Sequence, residues 1–300
     1  MLEQLFPISY TVLLIGLLMG IGIAVTLVGI FSTFVIAVCI CIGMIKIMPL
    51  IKLITRIINV ILPGALSTME GNLRKSYTIS GNLDLPSDRY IYMWHPHGMF
   101  SSSMFFHTST GITNWPSHLR HTKCVSLNSI KWLPFTNEIF EEYGAIFSDY
   151  HTMKETLEEG YSIAVSPGGM REMLYEDTVL LNHRRGIFKM ALETGTPLVP
   201  IITSGDNKLW ELIDIPGYIQ DMLKPYDICI PIPTLKSLTK SLALLYSPLK
   251  DPVNSILGEP IMLEKIESPT EDDIRTLREK YISILKEMYT KELGRELKVA

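Results

Sequence analysis

The stretch Tyr90–Phe106 reads YIYMWHPHGMFSSSMFF. Its first part is aromatic and apolar, and it predicts a strand over Tyr90–Trp94. That strand runs into His95-Pro96-His97-Gly98 and then three serines, a polar cluster that a core strand does not need and a reactive site often has. Residues two apart on an extended segment share a face, so His95 and His97 can project together beyond the strand. Pro96 restricts the backbone between them, and Gly98 permits a sharp turn or close approach to a ligand. Histidine suits proton transfer because its unperturbed pKa is ~6.5. A pair of structural histidines is the alternative, and spacing alone does not choose between His95 and His97.

Working outward, further short apolar runs predict strands over Lys123–Ser126, Ala145–Phe147, Ser162–Ser166 and Leu198–Ile202. Between and after them, helical spacing covers Tyr150–Glu159, Ile187–Thr194 and a long C-terminal segment. In the last, Thr270 is a plausible N-cap with acidic residues in the first turn, and Leu277, Tyr281, Ile284 and Leu285 share one face. Strands alternating with helices give an α/β sheet domain.

Two more clusters carry chemistry. In SIAVSPGGMREML a strand enters Pro167-Gly168-Gly169. Such a turn can aim backbone N–H groups at a phosphate or an oxyanion, so Gly168 and Gly169 are candidates for substrate positioning. Glu172 can orient a histidine, and Arg171 can meet a phosphate. In NHRRGIFKMALETG, His183, Arg184, Arg185 and Lys189 crowd the start of a helix. A solvated basic face is the ordinary reading; beside a cleft, the same residues suit an anionic carrier such as coenzyme A.

The N-terminus is of another kind. No charged residue occurs between Glu3 and Lys46, about 42 positions, against the ~20 that one membrane helix needs. A two-helix hairpin turning near Gly29–Phe34 is expected over 1–47, with one long tilted span as the alternative. A cleaved signal peptide fits poorly, since its apolar core would be only about 7–15 residues with a basic flank before it. Lys46, Lys52 and Arg56 follow the run, which places the rest of the chain on the cytosolic side. Residues 48–65 read as an amphipathic helix at the interface, ending near Pro63-Gly64, or as a helix packed on the domain. Residues 66–300 then form the globular domain. The formal net charge of −4 argues against a nucleic-acid partner. The four cysteines show neither a disulfide framework nor a zinc pattern.

With these motifs in order, the chain resembles the type-2 diacylglycerol acyltransferase family, which includes monoacylglycerol and wax-alcohol acyltransferases. The similar features are the N-terminal anchor, His95-Pro96-His97-Gly98, the Pro167-Gly168-Gly169-x-x-Glu172 element, the block RRGIFKMALETGTPLVP, and the GEPI and SPTEDDIRTLREKYISILKEMY tail. More distantly, GAIFSD, SPGGMRE and PLVPI resemble glycerol-phosphate acyltransferases, which implies an α/β fold of that kind. Those enzymes carry an aspartate shortly after the catalytic histidine. None follows His95 or His97 here, so Glu172 is the candidate for the carboxylate. The family's Phe-Gly-Glu-Asn block stands here as Ser204-Gly205-Asp206-Asn207, and no Tyr-Phe-Pro motif follows the anchor.

The resemblance implies transfer of a fatty acyl group from acyl-CoA to an alcohol, diacylglycerol first among the candidates, with monoacylglycerol or a long-chain alcohol as alternatives. His97 is expected as general base, with His95 as the alternative, and Glu172 as its orienting carboxylate. Gly98, Gly168 and Gly169 are expected near the oxyanion, and Arg171, His183, Arg184, Arg185 and Lys189 near the acyl-CoA. No cofactor and no metal are expected; acyl-CoA is the co-substrate. The endoplasmic reticulum membrane, and the lipid droplet after it, are the implied locations. Rival readings are a metal-dependent hydrolase, which would need more ligands at later strand ends, and a lipid-binding protein without catalysis. A serine esterase would want Gly-x-Ser-x-Gly, which is not found.

Overall fold

The computed structural model describes residues 63–87, 89–96, 101–108, 116, 121–128, 143–169, 172–173, 175, 177–209, 211, 213, 216–223, 234–244 and 246–300. The expected anchor over 1–47 lies outside them, as do most of the interfacial helix, Arg171, and His97 with Gly98. Among the described residues no helix is long and apolar enough to cross a membrane. One compact unit runs Leu62–Ala300. Its first described element is helix α1, Pro63–Ser76. The Pro63-Gly64 pair, expected to end a helix, is therefore itself helical. A proline fits the first turn of a helix, where the N–H it lacks would find no intrahelical partner.

The central sheet contains β1 (Tyr77–Gly81), β2 (Ile91–His95), β3 (Thr122–Ser126), β4 (Ile146–Phe147), β5 (Ser162–Val165), β7 (Leu198–Ser204) and β8 (Val253–Leu257). Their spatial order is β1-β8-β7-β2-β5-β3-β4. β7, β2, β5, β3 and β4 are mutually parallel, while β8 runs antiparallel to β7 and β1 parallel to β8. A small second sheet pairs β6 (Thr178–Val179) with β9 (Lys298–Val299). β2 is buried along its whole length, as expected of a central parallel strand covered on both faces.

Alternation along β2 builds two cores. Ile91 and Met93 join Ile163, Val165, Leu157, Phe188, Tyr281 and Leu285 on one face. Tyr92 and Trp94 join Ala164, Val199, Ile201 and Met104 on the other. The first face is covered by α3 (Tyr150–Glu158), α4 (Gly186–Thr194) and α8 (Glu271–Leu293), the second by α2 (Ser102–Thr108). α8 starts as its sequence requires: Thr270 accepts from the Asp273 N–H at 3.2 Å, and Asp273 accepts from the Thr270 N–H at 2.8 Å, a capping box worth about 1 kcal/mol. Its buried face is Ile274, Leu277, Tyr281, Leu285 and Tyr289. Short helices α5 (Asp206–Leu209), α6 (Gly217–Leu223) and α7 (Leu235–Ala243) lie between β7 and β8.

One consequence of this winding locates the site. After β2 the chain passes to α2 on one face, whereas after the adjacent β5 it passes to α4 on the other. In open α/β sheets, ligands bind beyond the carboxyl ends of strands at such a switch point. His95 ends β2, and Pro167-Gly168-Gly169 follows β5.

Candidate active site

His95 takes the position that strand alternation assigns it. It shares a face with Ile91 and Met93, so its ring enters the side covered by α8, where it is fully buried. Its Nε2 lies 2.9 Å from the hydroxyl of Tyr281, with ring centroids 5.9 Å apart. Its Nδ1 faces Glu172 Oε1 at 3.9 Å, both side chains being excluded from solvent. Burial, and then the charge of Glu172, push the Tyr281 hydroxyl well above its ordinary pKa, so it keeps its proton; which group donates across the 2.9 Å contact follows the imidazole tautomer. In the tautomer protonated on Nδ1, Tyr281 donates to Nε2 and the ring N–H is directed at the carboxylate. At 3.9 Å this is not yet a hydrogen bond. Nδ1 and Glu172 Oε2 are both buried without a partner among the described residues. Unliganded sites often hold such contacts long and tighten them around substrate.

Glu172 is placed by the glycine turn. Its Oε1 accepts from the Leu180 N–H at 3.2 Å, and its own N–H reaches Gly169 O at 3.1 Å. A Cβ on Gly168 would overlap the carboxylate, which explains glycine there more directly than oxyanion binding does. Gly169 sits at φ +74°, a conformation glycine adopts without strain, and its N–H closes the turn on Ser166 O at 3.3 Å. Of the basic cluster, Arg184 donates to Gly168 O at 2.8 Å and so braces the same turn. Arg185 pairs with Glu271, and Lys189 lies 3.5 Å from Glu193. Both pairs involve exposed cations, are worth little, and can be given up to a ligand. His183 is exposed.

The three serines behind the motif have distinct tasks. Ser101 Oγ lies 2.7 Å from Ser166 Oγ, at the end of β5. Ser102 donates to Asp206 Oδ1 at 2.5 Å and accepts from the Tyr77 hydroxyl at 3.1 Å. Ser103 Oγ lies 3.3 Å from Thr203 Oγ1 on β7. The segment that follows His-Pro-His-Gly in sequence is thus fastened to both neighbours of β2. Asp206 is fully buried, and loss of solvation pushes its carboxyl up to about 6.

The structure therefore brings His95, Glu172, Gly168, Gly169 and Arg184 together at one sheet edge, and leaves Arg185, Lys189 and His183 on the surface. Sequence reasoning missed two members. Tyr281 counted only as one apolar residue of a helix face, and its hydroxyl gave no separate signal. Asp206 was visible only as a departure from a family block. Among the described residues, no group of three or more His, Cys, Asp or Glu could hold a metal ion.

Comparison with known proteins agrees with the motifs. The family model described as Diacylglycerol acyltransferase matches residues 77–296. Acyl-CoA wax alcohol acyltransferase 2 of Homo sapiens is 28% identical over 220 residues, covering 68% of this chain and 66% of that protein. Diacylglycerol O-acyltransferase 2 of Xenopus laevis is 28% identical over 222 residues, covering 69% and 62%. The aligned part thus falls just short of two thirds of these relatives' own lengths. A crystal structure of the 1-acyl-sn-glycerophosphate (LPA) acyltransferase PlsC from Thermotoga maritima superposes with a TM-score of 0.46 at 17% identity, over 77% of this chain and 81% of that one. With the family model covering well over half of its residues, the chain belongs to the diacylglycerol acyltransferase family.

Proposed function

We propose that this protein transfers a fatty acyl group from acyl-CoA to the hydroxyl of a lipid alcohol, with diacylglycerol as acceptor and triacylglycerol and CoA as products. The observation that carries the reading is the buried Tyr281–His95–Glu172 chain inside the family's own motif, at the carboxyl end of the central strand. His95 is sealed from solvent, with Nε2 at Tyr281 and Nδ1 turned toward the buried Glu172, so neither nitrogen is open to a substrate hydroxyl. This supports His97 as the base, with His95, two residues before it, as a positioning residue. His97 takes the hydroxyl proton as the oxygen attacks the thioester carbonyl. The C–S bond then breaks, and the proton passes to the departing thiolate. Glu172 acts through His95, stabilising whichever tautomer and charge the loop requires. No residue of the chain forms a covalent intermediate. The apolar N-terminal run would keep the protein on the endoplasmic reticulum membrane with this domain facing the cytosolic acyl-CoA.

A long-chain alcohol is the alternative acceptor, because the human wax-alcohol relative is as similar, at 28%, as the frog diacylglycerol one. Membranes from cells lacking neutral-lipid synthesis, given labelled oleoyl-CoA with diacylglycerol, monoacylglycerol or a long-chain alcohol, decide both questions. Triacylglycerol label that disappears in His97→Ala is the expected result. Full activity in His97→Ala removes it as the base, and no ester with any acceptor removes the acyltransferase reading.

A further inference from the structure

One face of α8 supplies two buried tyrosines, and the chemistry above uses only the first. Tyr281, Leu285 and Tyr289 follow one another at four-residue spacing on that face. Tyr281 meets His95, whereas Tyr289, about 12 Å further along the helix axis, meets Asp177. The Tyr289 hydroxyl donates to Asp177 Oδ1, and Arg295, just past the end of α8, donates to Oδ2 at 3.1 Å. The Arg295 guanidinium also lies 5.9 Å from the centre of the Tyr289 ring. An exposed Arg–Asp pair alone is worth little, but Tyr289 is 1% exposed and makes its bond from within the core. Asp177 itself sits at φ +49°, a left-handed conformation that persists where the surroundings hold it.

What Asp177 holds is the start of β6. Its carbonyl accepts from the Lys298 N–H at 2.9 Å, and the Val179 carbonyl accepts from the Ala300 N–H at 2.9 Å, so both face β9. Successive residues of a strand point their peptide groups to opposite edges, so the next N–H turns away from β9. That N–H belongs to Leu180, and it meets Glu172 Oε1 at 3.2 Å. Val179 and Leu181, on either side of it, are fully buried and keep the segment in register. Glu172 Oε2 has no hydrogen-bond partner among the described residues, so the Leu180 bond decides where the buried carboxylate lies.

We propose that Asp177, Tyr289 and Arg295 are positioning residues for Glu172. They pin the strand whose Leu180 N–H holds the carboxylate, so that one helix, α8, sets both His95 and the group facing it. The kinetic consequence rests on Glu172 acting through His95 in the proposed acyl transfer, whereas the pinning does not. The test compares Tyr289→Phe, Arg295→Leu, Glu172→Gln and Arg89→Leu in the purified full chain. Arg89 serves as control: it lies ahead of β2 and donates to Leu157 O at 2.7 Å and Thr194 O at 3.1 Å, away from the site. Tyr289→Phe should exchange its Leu180 amide about tenfold faster than wild type. Its kcat should fall about tenfold with KM for oleoyl-CoA unchanged. Arg295→Leu should move both readouts the same way by less, and Arg89→Leu should lower the urea midpoint while moving neither. Unchanged Leu180 exchange in Tyr289→Phe would overturn the pinning. Faster exchange with wild-type kcat, in a chain that Glu172→Gln inactivates, would overturn the positioning role and spare that of Glu172. A matching loss of kcat in Arg89→Leu would reduce the effect to general destabilisation and refute the proposal. Full activity in Glu172→Gln would instead sink the reading of Glu172, with the exchange result still deciding whether α8 pins the strand.

Discussion

Tyr281→Phe is the most direct probe of the buried chain, because it deletes one oxygen and leaves the packing. The ring keeps its edge contact with Phe188, at 5.7 Å between centroids, and its place beside His95. What is lost is the 2.9 Å hydrogen bond to His95 Nε2, inside a region with no solvent to replace it. A donor or acceptor left unsatisfied in such a place costs about 1–3 kcal/mol. Urea unfolding of the purified full chain should show that loss as a lower midpoint at unchanged slope. A double-mutant cycle with His95→Ala separates this bond from general damage. In the His95→Ala background the Tyr281 hydroxyl has already lost its partner, so removing it should cost little or even help, giving a coupling of about 1–3 kcal/mol. Kinetically, if His95 positions the proposed base, Tyr281→Phe should lower kcat while leaving KM for acyl-CoA unchanged. Equal costs in both backgrounds, or an unchanged midpoint with unchanged kcat, would show that the two side chains are neighbours without a working bond.

Gly168→Ala should displace the Glu172 carboxylate and reduce kcat at least tenfold with the fold intact by circular dichroism, an overpacking cost of about 1–3 kcal/mol; wild-type turnover would mean that Glu172 does not act where it lies. Arg184→Leu should loosen the same turn by removing the bond to Gly168 O, detected as faster hydrogen exchange over residues 167–173 before any change in melting temperature. Asp206→Asn tests pH dependence. The Asp206 pKa rises in the folded state from 3.8 to about 6, so folding gains stability as pH falls through that window and loses it as pH climbs back. Asparagine keeps an acceptor for Ser102 but cannot titrate, so between pH 6.5 and 4 the variant should fall behind the wild type by of order 3 kcal/mol; a constant difference refutes the burial argument. His107 has the opposite sign, since burial lowers its pKa to about 4, and its contribution is lost on acidification. His107→Gln should therefore flatten the acid side of the stability profile, and an unaltered acid limb would contradict the assignment.

Much of the frame was legible because apolar periodicity is strong where a parallel sheet is buried on both faces. Tyr90–Trp94 was read one residue early against Ile91–His95, and Ser162–Ser166 one residue long against Ser162–Val165. α8 was visible through its cap. β1 and β8 were missed because YTISG and VNSIL mix polar and apolar residues: β1 is a part-exposed edge strand, and β8 buries Ser255 beside Val253, Ile256 and Leu257. The helix α2, which holds two of the three serines, was not anticipated, since serine is a weak helix signal and its contacts here are long-range. In the site, Glu172 and the histidine motif could be guessed from residue type. Their pairing, and the arrival of Tyr281 from 186 residues away in sequence, depend on how α8 crosses the sheet. No local pattern encodes that.

The two buried carboxylates stand at the described ends of the motif, one beside His95 and the other beside Ser102. Glu172 stands on the α8 side, where His95 begins the loop; Asp206 stands at the end of β7, where Ser102 begins α2. Each is anchored by a donor from a different segment, the Leu180 N–H in one case and the Ser102 hydroxyl in the other. The end of strand β2 is therefore set beside one carboxylate and the start of α2 is fastened to the other. Because they stand at opposite ends of the motif with different partners, their contributions to stability should add; under the proposal that His97 is the base, their contributions to kcat should not, since release of either end then suffices to lose activity.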